Sequence, residues 1–116
     1  MPKQRLNPLP SAAFHILLSL ADKDLHGYAI MRRVEEQTEG RMRLGPGTLY
    51  SSLQALLEEG FVEEVAGDGE GEPGHERRRC YRLTPAGRKV AQVEAGRLAD
   101  LLRVARARKI LRGSHV

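Results

Sequence analysis

Residues 43–65 read RLGPGTLYSSLQALLEEGFVEEV, and this stretch decides the fold. It joins a short amphipathic helix, entered through the Gly45-Pro46-Gly47 turn, to a strand that follows at once. Leu49, Leu53, Leu56 and Leu57 fall at i, i+4, i+7 and i+8, so at about 100° per residue they gather into one core-facing stripe. Geometry then turns Gly47, Ser51, Gln54, Ala55 and Glu58 outward, with Thr48 and Tyr50 on the flanks. An outer face of small, hydroxylated and amide side chains can approach a polar, grooved partner. DNA is the obvious one.

On the N-terminal side, residues 1–10 carry Pro2, Pro8 and Pro10 and are expected to form a flexible arm. Ser11 is the expected N-cap of a first helix, in which Phe14, Leu17, Leu18 and Ala21 make one apolar face and Ile16 and Leu20 a second. A charged turn, Asp22-Lys23-Asp24, leads to a second helix that starts near His26, which caps or orients it. There Gly27, Ile30, Met31, Val34 and Thr38 share a face, and Gly40 is a natural stop. Residues 41–44 are too short for more than a minor strand or connector, and Pro46 suits the first turn of the third helix.

On the C-terminal side, Gly60 ends the third helix and Phe61 to Val65 reads as a strand. Residues 66–74 hold four glycines and a proline among acids, which predicts a flexible loop. Arg78 to Leu83 returns as a second strand, with Tyr81 and Leu83 on one face and Cys80 and Arg82 on the other. Thr84-Pro85 opens a last helix of about 25 residues, which nothing breaks decisively before Gly113. The expected fold is therefore mainly α with a small two-stranded β-wing: a winged helix-turn-helix over 11–86, a C-terminal dimerisation helix over 87–112 and a tail at 113–116.

At 116 residues with 4% aromatics and no Trp, the chain is one domain with an aliphatic core. The single Cys80 excludes an internal disulfide. Without an apolar span or a recognisable signal peptide, the expected location is the cytoplasm. Net charge is +4, but residues 61–76 sum to −6 and residues 77–116 to +10, an asymmetry that invites a polyanion. His15, His26, His75 and His115 lack metal-ligand spacing, so neither metal nor cofactor is expected. No nucleophile-base pair or paired carboxylates stand at catalytic spacing, which argues against an enzyme.

Three motifs, His26-Gly27-Tyr28, Gly47-Thr48-Leu49-Tyr50 with Leu53 to Gly60, and Arg79 to Gly87, occur in order at wing-compatible spacing. Over about residues 11–110 the chain resembles the PadR family of bacterial transcriptional regulators, in the short form with one C-terminal helix. The resemblance implies a homodimer joined by the last helix and a palindromic operator in double-stranded DNA, usually for repression. In some members it also implies a small aromatic or drug-like effector near the dimer interface.

Individual residues follow from placement. Thr48, Tyr50 and Ser51, near the third helix's N-terminus, are expected on phosphates. For Tyr50 the alternative is a ring packed on the second helix with only its hydroxyl showing. Gln54 suits adenine and Ala55 a thymine methyl. Arg32 and Arg33, on a helix that crosses the backbone, are further candidates, against an Arg32–Glu36 pair. Arg77, Arg78 and Arg79 stand at the wing base as phosphate contacts or as a solvated run, beside the acids Asp68, Glu70, Glu72 and Glu76. In the last helix Val93, Leu98, Leu101, Leu102 and Ala105 are the expected dimer contacts, since a chain this small has little left to cover them, the alternative being that the helix folds back over its own domain. The competing functional reading is a winged-helix module that docks protein.

Overall fold

Short helices gain most of their stability from packing an apolar face, and each helix here does so against the same centre. The computed structural model describes residues 8–66 and 79–112. In chain order the elements are α1 (Ser11–Ser19), β1 (Leu25–His26), α2 (Gly27–Gln37), α3 (Pro46–Glu58), β2 (Val62–Ala66), β3 (Arg79–Leu83) and α4 (Pro85–Ala107). Ile16, Leu17, Ile30, Val34, Leu49, Leu53, Leu56 and Val62 form the fully buried centre, closed by Leu9, Ala13, Leu20, Leu44 and Tyr81. The leucine stripe of α3 is thus its inner face, with Leu57 packed at the margin. Each such buried aliphatic side chain contributes about 1.5–3 kcal/mol.

In α1 the buried face is Ala13, Ile16, Leu17 and Leu20, which takes in the expected second side; of the first, Leu17 is buried and Phe14 packs at the margin, but Leu18 and Ala21 are exposed. Both sets have helical spacing, so only the neighbours decide between them. Nor does Ser11 cap α1: Pro10 holds the N-cap position in an extended conformation, and the Ser11 carbonyl instead meets His15 Nδ1 at 2.9 Å. The next cap follows expectation, because His26 accepts from the Ala29 amide at 3.4 Å.

The turn between α2 and α3 is pinned by Thr38. Its hydroxyl donates to the Val34 carbonyl at 3.0 Å and accepts from the Met42 amide at 3.0 Å, while Gly40 reverses the chain at φ 81°. Gly60, at φ 79°, likewise ends α3, and the Phe61 amide closes on the Leu56 carbonyl at 3.0 Å. Positive φ at both places favours glycine.

The wing has three strands where two are expected from the sequence. The sheet is antiparallel in the order β1-β3-β2, with Leu25 opposite Tyr81 and His26 opposite Cys80 on one side, and Val62 opposite Leu83 through Ala66 opposite Arg79 on the other. Two residues carry no alternation, so β1 leaves no periodic trace in the sequence. It also ties the wing to the first residue of α2.

The last helix ends at Ala107, short of the expected 112. Lys109 takes a left-handed conformation at φ 65°, and the Ile110 amide folds back onto the Ala105 carbonyl at 2.8 Å. Only the first half of α4 lies on the core, through Gly87, Val90, Ala91 and Glu94. Val93, on the outer side of that half, is 69% exposed, and beyond it Leu101 is 51% exposed, Leu102 47% and Val104 44%, while Leu98 and Ala105 are half-buried. No helix among the described residues is long and apolar enough to cross a membrane.

Candidate nucleic-acid interface

The third helix enters with its donors uncovered. Gly45 occupies the N-cap position, Pro46 is the first helical residue and no side chain caps this end. Backbone N–H groups of the first turn therefore face solvent, where they can meet an anion. Behind them Thr48, Tyr50, Ser51 and Gln54 are all exposed, and Ala55 is half-buried. Ser51 Oγ lies 3.4 Å from the Thr48 carbonyl, and the Gln54 amide donates to Glu58 at 3.2 Å. Reading a base with Gln54 thus means exchanging a contact to a carboxylate.

Tyr50 packs on the second helix as the alternative reading has it, but with its hydroxyl end against α2 and not turned to solvent. Its ring edge leans on the start of α2, where a Cβ on buried Gly27 would stand 2.3 Å from the hydroxyl oxygen and 3.0 Å from Cζ. About half of the residue nevertheless remains exposed. Gly27 is the residue that permits this approach. Gly27→Ala is expected to cost about 1 kcal/mol through crowding, and Tyr50→Phe in the same chain, by removing the nearest atom, to return part of it. Thermal unfolding of both single variants and the double variant measures the coupling. Strictly additive losses would mean that the ring does not rest on α2.

On α2 the two arginines part company. Arg32 stands over the exposed Tyr28 ring, 5.9 Å from its centroid, in place of the Glu36 pair considered from the sequence. Arg33 is held in a fork by Asp22, with Nη1 to Oδ1 at 3.0 Å and Nη2 to Oδ2 at 3.3 Å. That hydrogen-bonded guanidinium pulls the Asp22 carboxyl below its ordinary pKa. Tyr28 is not among the contacts expected from the sequence, and its i, i+4 spacing to Arg32 is the signal that marks it.

At the wing, Arg79 pairs with Glu64 at 3.1 Å and is exposed. Arg77 and Arg78, with the acidic tip, lie outside the described residues. The Tyr81 hydroxyl is pushed up in pKa, first by burial and then by the charge of Glu64. On α4, Glu94 is the one buried carboxylate among the described residues, and Arg97 grips it at 3.1 and 2.6 Å. This pairing outweighs desolvation and keeps the carboxyl below its ordinary pKa. The structure therefore brings Thr48, Tyr50, Ser51, Gln54, Tyr28 and Arg32 to the exposed sides of two packed helices, while Arg33 and Arg79 are each engaged by a carboxylate.

Similarity to known proteins agrees with this architecture. Residues 16–93 match the transcriptional regulator PadR-like family. A transcriptional regulator of Mycobacterium tuberculosis is 35% identical over 91 residues, covering 77% of this chain and 77% of that protein. An uncharacterised 37.1 kDa protein in a transposon of Streptomyces fradiae is 42% identical over 86 residues, which is 74% of this chain but only 22% of that protein. Among solved structures, Bacillus subtilis PadR in complex with operator DNA shares the fold at a TM-score of 0.59 and 23% identity, over 71% of this chain and 45% of that one. A winged-helix framework with an exposed polar third helix, matched over most of its length by such regulators, identifies the chain as a member of the PadR-like family of transcriptional regulators.

Proposed function

We propose that the chain is a homodimeric repressor that binds a pseudo-palindromic operator, with α3 in the major groove and α2 and the wing base on phosphates. The observation that carries this reading is the uncapped, solvent-facing N-terminal end of α3, flanked by Thr48, Tyr50 and Ser51. The exposed apolar side of α4 supports the dimer, and the operator complex of B. subtilis PadR supports DNA as the partner of this fold. The signal that releases DNA belongs, on this reading, to the small aromatic or drug-like class and binds near the dimer interface. Such a regulator acts in the cytoplasm.

The test is a titration against the DNA upstream of its own gene, beside scrambled DNA, in rising salt. A repressor prefers its operator by about 10³-fold or more at physiological salt. Salt-sensitive binding with no such preference, or no binding at all, favours the protein-docking alternative. Within this reading, Ser51→Glu places a carboxylate on the outer face without touching the leucine stripe. It is expected to weaken operator binding about tenfold or more while the dimer persists. An unchanged affinity by fluorescence anisotropy would remove this face of α3 from the interface.

A further inference from the structure

Arg82 sits in the middle strand of the sheet with an acid on either side. The β2–β3 register places Glu63 opposite it. Carrying the β1–β3 pairing one residue beyond Leu25 and Tyr81 places Asp24 opposite it on the other edge. All three guanidinium nitrogens face these carboxylates: Nε lies 3.2 Å from Asp24 Oδ1, Nη2 2.9 Å from Asp24 Oδ2, and Nη1 3.8 Å from Glu63 Oε2. A bidentate fork fixes direction as well as distance. Phosphate approaching Arg82 would have to displace one acid while repelled by the other.

The placement of Asp24 gives the fork its reach. Asp24 leads directly into β1, His26 caps α2, and Gly27 carries the edge of the Tyr50 ring. The strand that bears Arg82 is thus joined to the start of α2 and, through Tyr50, to α3. We propose that Arg82 is a positioning residue: with Asp24 and Glu63 it clamps the wing to the helix-turn-helix and sets operator affinity without touching DNA. This rests on the DNA-binding reading above. Its partners make the opposite prediction from that of a phosphate contact, because Asp24 then assists binding instead of opposing it.

Arg82→Met and Asp24→Asn separate these cases, measured by operator titration across a salt series with the active fraction counted at stoichiometric DNA. The clamp predicts that both variants lose about tenfold in affinity at full active fraction, with the salt slope of the wild type, since a phosphate contact is worth about 0.9 in that slope. It also predicts that the double variant loses no more than either single one. Should Arg82→Met fail to fold, the isosteric Asp24→Asn carries the comparison alone. A reduced slope for Arg82→Met together with tighter binding by Asp24→Asn would make Arg82 a phosphate contact and overturn the clamp. Wild-type affinity in both variants would overturn it as well. A wild-type protein that binds no operator fails at the earlier step, and the clamp fails with it.

Discussion

Gly87→Ala is expected to lower folding stability by about 3 kcal/mol, towards the upper end of what a single added methyl costs in a packed interior. The new Cβ would stand 2.0 Å from the Phe61 carbonyl oxygen, 2.9 Å from its carbon and 2.9 Å from Leu83 Cδ1. A leucine methyl can turn aside, but the Phe61 carbonyl cannot. It already accepts the Thr84 amide at 3.2 Å, while the Thr84 hydroxyl donates to the Gly60 carbonyl at 2.7 Å and accepts the Gly87 amide at 3.0 Å. The end of α3, the first residues of the wing and the first turn of α4 therefore meet at one rigid joint. Differential scanning calorimetry at fixed protein concentration should show a melting temperature lower by about 10 °C or more for a domain of this size. A shift of only 1 or 2 °C, roughly the scale of an ordinary surface change, would show that the joint can open to admit the methyl.

On the homodimeric reading proposed above, the larger functional effect is expected from Leu101→Asp, which should leave the protomer folded, abolish dimerisation and reduce operator affinity about a hundredfold or more. In one protomer Leu101 is half exposed, so an aspartate there costs little unless something covers it. A large loss of assembly consequently reports a partner helix. Operator affinity should fall with it, because two linked half-site contacts exceed one by about 10²- to 10⁴-fold. Light scattering reads the mass and anisotropy the affinity. A variant that remains dimeric would take the Leu101 face of α4 out of the interface, and a monomer with unchanged affinity would mean that the operator is not read in pairs.

How far the sequence could be read depended on whether a residue's role is local. The α3 stripe, the Gly40 and Gly60 stops, the Thr84-Pro85 start of α4 and the His26 cap all follow from spacing and capping chemistry over a few residues, and the structure has each where expected. Periodicity finds both apolar sides of α1 but does not rank them, so Leu18 and Ala21 are exposed while Ile16 and Leu20 are buried. Strand β1 was missed because a two-residue strand exists only through its partner. The end of α4 was placed too late, since a left-handed lysine at position 109 carries no sequence signal of the kind glycine provides.

The candidate site divides in the same way. That Thr48, Ser51 and Gln54 face outward follows from helical geometry alone. Which arginines stand ready for phosphate does not, because that depends on carboxylates brought from elsewhere: Asp22 to Arg33, Glu64 to Arg79, and Asp24, 58 residues away in the chain, to Arg82. The sequence by itself determined the order of the four helices and the two longer strands, the inner and outer faces of α3 and the family resemblance, since each is written in periodicity and motif within one segment. Only the tertiary structure decided why Gly27 and Gly87 are glycines, how β1 joins the wing to α2, and which charges are already paired. Those properties arise where distant segments come within a few ångströms of each other, and no local pattern records which segments will meet.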